Sequence, residues 1–205
     1  MIGILLALQV NTWNEHRKDR IRETKILDQI HIDFLRNKVQ IDSIRSSNEK
    51  ALISCEKIIS FLPLSKTKAS LDSVTKYIQD ATQIRTFNPS NGSIDALINS
   101  SSFEVIQNDT LRNLLVSWKD VYLDYREEEQ IARNYQINVV NNFFGKHLNR
   151  LDRYSDSNLE LITTNEFSNL WFDKAYNYRT NLSAIKDEQL EHYILEILRL
   201  TQSQN

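Results

Sequence analysis

The chain has 205 residues, 25 of them basic and 27 acidic, and its formal charge of −2 excludes the basic footprint of a general nucleic-acid binder. Three glycines and two prolines, against usual shares of about 7% and 5%, leave few tight turns and few helix breaks, so long helices are the natural form. A single cysteine, Cys55, has no partner for an internal disulfide and says nothing of redox compartment.

The chain opens MIGILLALQVNTWNEHRKDR. As a helix, its apolar run from Ile2 to Val10 covers about 14 Å, half of a hydrocarbon core roughly 30 Å thick. No basic segment precedes the run and no small-residue cleavage site follows it, which argues against a secretory signal. One reading is a buried N-terminal helical turn. The reading adopted is that residues 1–13 are the downstream end of a transmembrane helix and its interface, the first half lying before Met1. Trp13 then sits as the interfacial aromatic, and Arg17, Lys18, Arg20 and Arg22 as headgroup-side cations. From Asn14 to Lys25 five cations face three anions, a net of +2. Taken alone, this visible flank places the following domain in the cytoplasm.

Residues 14–205 read as one helical-bundle domain. From 14 to 62 a heptad of Leu27, Phe34, Ile41, Asn48, Cys55 and Leu62 alternates with Ile30, Asn37, Ile44, Ala51 and Ile58, which predicts a long packed helix. Asn37 and Asn48 fall on its seam, either buried to fix register or lying at a wet edge. Cys55 belongs to the apolar stripe as a core residue. Pro63 stops the helix. Residues 63–108 read as short helices and loops, with Ser70 capping a helix that ends near Gln83. Asn88, Pro89, Asn91 and Gly92 form turns, and Ser93 caps a helix carrying Ile94, Leu97 and Ile98. This stretch is expected to form a lid over one end of the bundle.

A second long helix is predicted over 109–151, with Leu111, Leu115, Trp118 and Tyr125 on one face and Val140, Phe143 and Phe144 resuming it. A third is predicted over 163–202, begun by a capping box of Thr163 and Glu166 and a staple of Ile162 and Phe167. The expected fold is all-α: an elongated antiparallel helical bundle of three long helices with two or three short ones, the first continuing from a truncated membrane anchor.

Chemistry-bearing patterns are sparse. A di-metal site in a bundle needs paired Glu-x-x-His elements. Glu188, Glu191, His192 and Glu196 on the last helix and Asp28 with His31 on the first do not supply them. No zincin, phosphate-loop, dinucleotide or nucleophile-elbow motif occurs. Glu127, Glu128 and Glu129 point about 100° apart on a helix and read as a solvated face. His16 and His147 have no evident partner. No catalytic residue, cofactor or metal ligand is assigned. Trp118, Tyr122, Tyr125, Trp171, Tyr176 and Tyr178 either line an apolar ligand pocket or fill the core, and core filling is the reading adopted.

The segments IGILLALQVNTWNEHRKDR, TFNPSNGSIDALINSSSFEVIQNDTLRNLLVSW and TTNEFSNLWF together resemble an uncharacterised family of small membrane-anchored proteins of Bacteroidota, a domain of unknown function. The resemblance covers essentially the whole chain. It implies a longer apolar helix and a basic tail ahead of this sequence, with Met1 falling inside the membrane helix. It also implies a cytoplasmic amino terminus and an extracytoplasmic, periplasmic helical domain, against the simple charge reading. It carries no activity and no functional residues. The function expected is therefore a non-enzymatic interaction or scaffold domain of the cell envelope, membrane-bound by one helix, with an envelope protein or a second copy as partner and no nucleic acid. The alternative is an extracytoplasmic small-molecule sensor, in which Thr86 to Asn108 and the aromatic faces enclose a ligand.

Overall fold

A computed structural model describes residues 2–202. The parts of the anchor reading that rest on Met1 and on the side chains of Ile2 and Leu5 lie outside the described residues, as does the end of the bundle at 203–205. Every regular element among the described residues is helical and none is a strand.

Helix α1 (Ile2–Ser60) is unbroken for 59 residues; beyond Gly3 it contains neither glycine nor proline. Helix α2 (Lys68–Ala81) is capped by Thr67 and not by Ser70. The Thr67 Oγ1 accepts the Ser70 N–H at 3.2 Å, so Ser70 is the third helical residue and supplies the orphan donor. Residues 83–91 have no regular structure. Helix α3 (Gly92–Ile98) then starts without a side-chain cap; Ser93, expected as the cap, turns its hydroxyl to Asp33 instead. A 3₁₀ turn (Ser101–Val105) leads to α4 (Asp109–Tyr135), a π-helical turn (Gln136–Val140) and α5 (Asn141–His147). Helices α6 (Asp156–Leu161), α7 (Asn165–Asp187) and α8 (Leu190–Thr201) complete the chain.

Two features of the third expected helix differ. Its cap is Thr164, whose Oγ1 accepts the Phe167 N–H at 3.1 Å. Thr163 still belongs to the turn closing α6 and donates its hydroxyl to the Glu160 carbonyl. The helix also does not run through to 202. It breaks between α7 and α8, where Gln189 takes a positive φ of 59°.

Packing divides the chain into two compact units, so the stretch read as one domain is shared between them. Unit one holds, among the described residues, 2–40, 88–121 and 191–202. Phe34 and Trp118 meet edge to face at 4.8 Å in its buried interior, which also includes Ile30, Ile94, Leu111 and Ile197. Buried Asn37 clamps the backbone of Ser90, accepting its N–H at 2.7 Å and donating to its carbonyl at 3.3 Å. Glu23 accepts the Gln107 N–H at 2.7 Å. Glu23 thus meets Gln107 and Phe34 meets Trp118, an equal step on both strands of chain, so α1 and α4 run in the same direction here.

Unit two holds 41–87 and 122–190. Cys55, Ile58, Phe143, Phe167, Trp171 and Tyr178 are part of its core cluster. Helix α7 runs against α1, pairing Asn48 with Asn181 and Glu56 with Arg179. It also runs against α4, pairing Tyr125 with Asn181 and Tyr135 with Asp173. The successive long helices α1 and α4 are therefore parallel, not antiparallel as expected. The cause is the long connection between them: α2 runs back along α1, with Asp80 on Lys50 and Arg85 on Ser43, and a crossover of that kind permits parallel neighbours.

Candidate functional site

From Gly3 to Arg22 none of the described side chains is buried; packing begins at Glu23. Within that stretch Ile4, Leu6, Leu8, Val10 and Trp13 are 69, 55, 58, 62 and 65% exposed. At about 100° per residue, Ile4 and Leu8 lie on one side of α1, and Leu6, Val10 and Trp13 on the opposite side. A helix packed on a protein surface shows one apolar stripe, whereas a helix apolar all round belongs inside a core or a bilayer. Trp13, Arg17, Lys18 and Arg20 occupy the next turns, all exposed. Lys18 pairs with Glu15 at 2.8 Å and Arg20 with Glu23 at 3.3 Å. The structure thus brings the four expected interface residues together, just beyond the apolar run and ahead of the first packed turn. No helix among the described residues is by itself long and apolar enough to cross a membrane.

The other concentration of chemistry lies in the core of unit two, and the helical pattern did not single it out. Lys174 is 2% exposed. Its Nζ donates to Gln136 Oε1 at 2.6 Å and to the Tyr178 hydroxyl at 2.9 Å, and lies 4.4 Å from the centre of the Tyr178 ring. Tyr178 in turn donates to the Gln83 carbonyl at 2.6 Å. Gln136 opens the π-helical turn and passes its amide to Asn141 Oδ1 at 2.8 Å; such turns place side chains that a regular helix would not. Burial lowers the Lys174 amine from 10.5 to about 8 and raises the neighbouring Cys55 thiol to about 12. The thiol is thereby held protonated and is a poor nucleophile.

Next to this amine, Asn48 donates to Asn181 Oδ1 at 2.6 Å, and Tyr125 donates to the same oxygen at 3.3 Å. Glu129 accepts the Phe87 N–H at 2.7 Å, and burial raises its carboxyl above the ordinary range. The expectation of a solvated face at Glu127–Glu129 is therefore wrong for Glu129, which is 7% exposed. The cavity shared by Glu129, Lys174, Tyr178 and Asn181 measures about 20 Å³, room for about one water. The arrangement can exchange a proton with an enclosed water, but it offers no substrate-sized volume. Its visible work is to satisfy buried polar groups and set the register of α1, α4 and α7. The signal that marks it is the seam Phe167, Lys174, Asn181, in which two polar residues recur at heptad spacing on an apolar face.

Of the aromatic set, Trp118, Tyr125, Trp171 and Tyr178 are buried in the two cores, Tyr122 is half-buried and Tyr176 is exposed. His31 meets the Thr201 hydroxyl at 3.0 Å, and the His147 ring lies tilted against Phe143 at 5.2 Å. Among the described residues no three His, Cys, Asp or Glu side chains gather in a way that could hold a metal ion. No protein-family model, curated protein or solved structure matches the chain.

Proposed function

We propose that the opening turns of α1 lie in lipid and that the chain is a membrane-anchored helical protein. On this reading its bundle is a non-enzymatic interaction or scaffold domain of the cell envelope. The observation that carries the reading is the start of α1, whose described apolar side chains lie on opposite sides of the helix and are all exposed, followed at once by Trp13 and the cations Arg17, Lys18 and Arg20. The family resemblance supports a periplasmic body. The interaction role draws on Ile32, Leu35 and Val39, which are exposed on α1 at coiled-coil spacing, a second seam that unit one leaves uncovered.

Flotation with phospholipid vesicles tests the anchor. The chain should float, and Leu6→Asp with Val10→Asp should abolish flotation, because an aspartate within lipid costs about 2.5–3.5 kcal/mol. Neither residue is buried, so the melting temperature of the body should not change. A wild-type chain that stays with the soluble fraction refutes the anchor. A photo-crosslinking residue at Val39 should trap one discrete adduct in cell membranes; only uncrosslinked protein would count against the interaction role.

The sensor reading rests on a different observation. In unit one a cavity of about 330 Å³ lies between α1 and the segment 93–102, with Ile26, Ile30 and Leu97 as apolar lining and Arg22 and Lys25 beside it. The buried aromatics take no part in it.

A further inference from the structure

In unit two, α2 and the segment from α5 to α7 border an open cavity of about 380 Å³, within the size range of small-molecule sites. Its wall is apolar: Leu71 and Ile78 from α2, Phe144 and Leu148 from the end of α5, then Leu161 and Phe167. Most polar groups that line it are engaged within the fold. The Thr75 hydroxyl donates to the Leu71 carbonyl at 2.7 Å. Buried Asn158 accepts the Asn149 N–H at 2.8 Å and donates to the Asn149 and Asp152 carbonyls at 2.8 and 2.9 Å. That set of bonds fixes the 148–153 loop at the cavity mouth. Arg153 is held by Asp72 at 2.5 Å. Arg150 is different: it also lines the cavity, is exposed, and pairs with no other described residue.

A preformed apolar hollow with an unused cation beside it is complementary to an anion carried on an alkyl tail. A neutral hydrocarbon would leave that cation without a purpose, and a cationic amphiphile would be repelled by it. We propose that this cavity binds a free medium-chain carboxylic acid, its alkyl tail against Leu71, Ile78 and Phe167 and its carboxylate on Arg150. No residue from the start of α1 lines this site.

The test is titration of the full chain with decanoate below its micellar concentration, followed by methyl NMR. Binding should saturate, with the Ile78 and Leu148 methyls shifting most. Decanol and decyltrimethylammonium should bind more weakly by up to about fivefold, the worth of an exposed charge pair. Arg150→Gln should lose a similar factor for decanoate and none for decanol. Thr75→Phe should fill the cavity and remove binding; if that variant fails to fold, the wild-type shift map and Arg150→Gln decide. The combined Leu6→Asp and Val10→Asp variant should bind decanoate unchanged. Absence of saturation, shifts confined to the start of α1, equal affinity for the three head groups, or an Arg150→Gln variant indistinguishable from wild type would each overturn the proposal.

Discussion

Lys174 shows how a single buried amine makes unit two depend on pH. Its native value of about 8 lies below the ordinary 10.5, so between those values the unfolded chain holds a proton that the folded chain has released. The Lys174 contribution to stability therefore rises with pH across that window, and below about pH 8 both states hold the proton and the full cost of burial applies. The gain from pH 7 to pH 9 is about 1 kcal/mol. Above pH 9 the sign is opposed, because Cys55 is raised from 9.0 to about 12 and Tyr125 and Tyr178 above their usual 10.0. Those groups ionise first in the unfolded chain. Lys174→Met removes the amine but leaves Gln136 Oε1 without a donor, a loss of about 1–3 kcal/mol that offsets relief of the buried charge. Urea unfolding at pH 7, 8 and 9 should show wild type gaining relative to the variant at each step; parallel pH profiles would show that the amine is not buried as described. Glu129 was not legible in the sequence, and Lys174 was marked only by its heptad spacing from Phe167 and Asn181. Reading by apolar periodicity assigns a charged residue to the solvated side, and here burial follows from partners drawn from helices far apart in the chain. Asn37 and Asn48 were legible as seam positions because the heptad around them is regular.

At the scale of elements, the scarcity of glycine and proline made the length of α1 readable, and the same scarcity hid the break before α8. Gln189 reaches a positive φ without glycine, held by its N–H on the Lys186 carbonyl at 3.0 Å. Nothing in its residue type announces that. The left-handed conformation costs an L-residue about 1–2 kcal/mol, and glycine offsets part of the relief through its greater freedom when unfolded. Gln189→Gly should therefore stabilise by about 0.5–1 kcal/mol, with Gln189→Ala showing no such gain; denaturant midpoints measured side by side decide it. A destabilised glycine variant would mean that the break is set by packing of Leu190, not by backbone strain. The shift of the α7 cap from Thr163 to Thr164 has a similar origin. Two adjacent threonines offer the same hydroxyl, and the turn that ends α6 takes the first. The parallel course of α1 and α4 was hidden for another reason: helix lengths and loop positions were readable, but direction depends on whether a connection crosses over.

For the molecule as a whole, the start of α1 raises a question of support. Helices in proteins owe most of their stability to packing, and no described side chain between Gly3 and Arg22 is buried. The opening turns should therefore open at little cost in water, while the turns after Glu23 open only with the unit they belong to. Lipid changes this balance. Each apolar side chain moved fully out of water contributes about 1.5–3 kcal/mol, and amides in hydrocarbon must stay bonded within the helix. The flanking cations add about 1 kcal/mol each, and only at an anionic surface. Apolar burial is thus the larger contribution, which makes the outcome insensitive to salt. Hydrogen exchange should show fast exchange up to about Arg22 and slow exchange from Glu23 onward in buffer. Vesicles should then protect the residues up to Trp13, in neutral as well as anionic lipid and at 1 M salt as at low salt, where screening shortens to about 3 Å. Protection that appears only with anionic lipid and vanishes in salt would place Arg17, Lys18 and Arg20 at a membrane surface and leave the apolar turns out of it. Protection already present without vesicles would mean that another surface, such as a second copy of the chain, covers them.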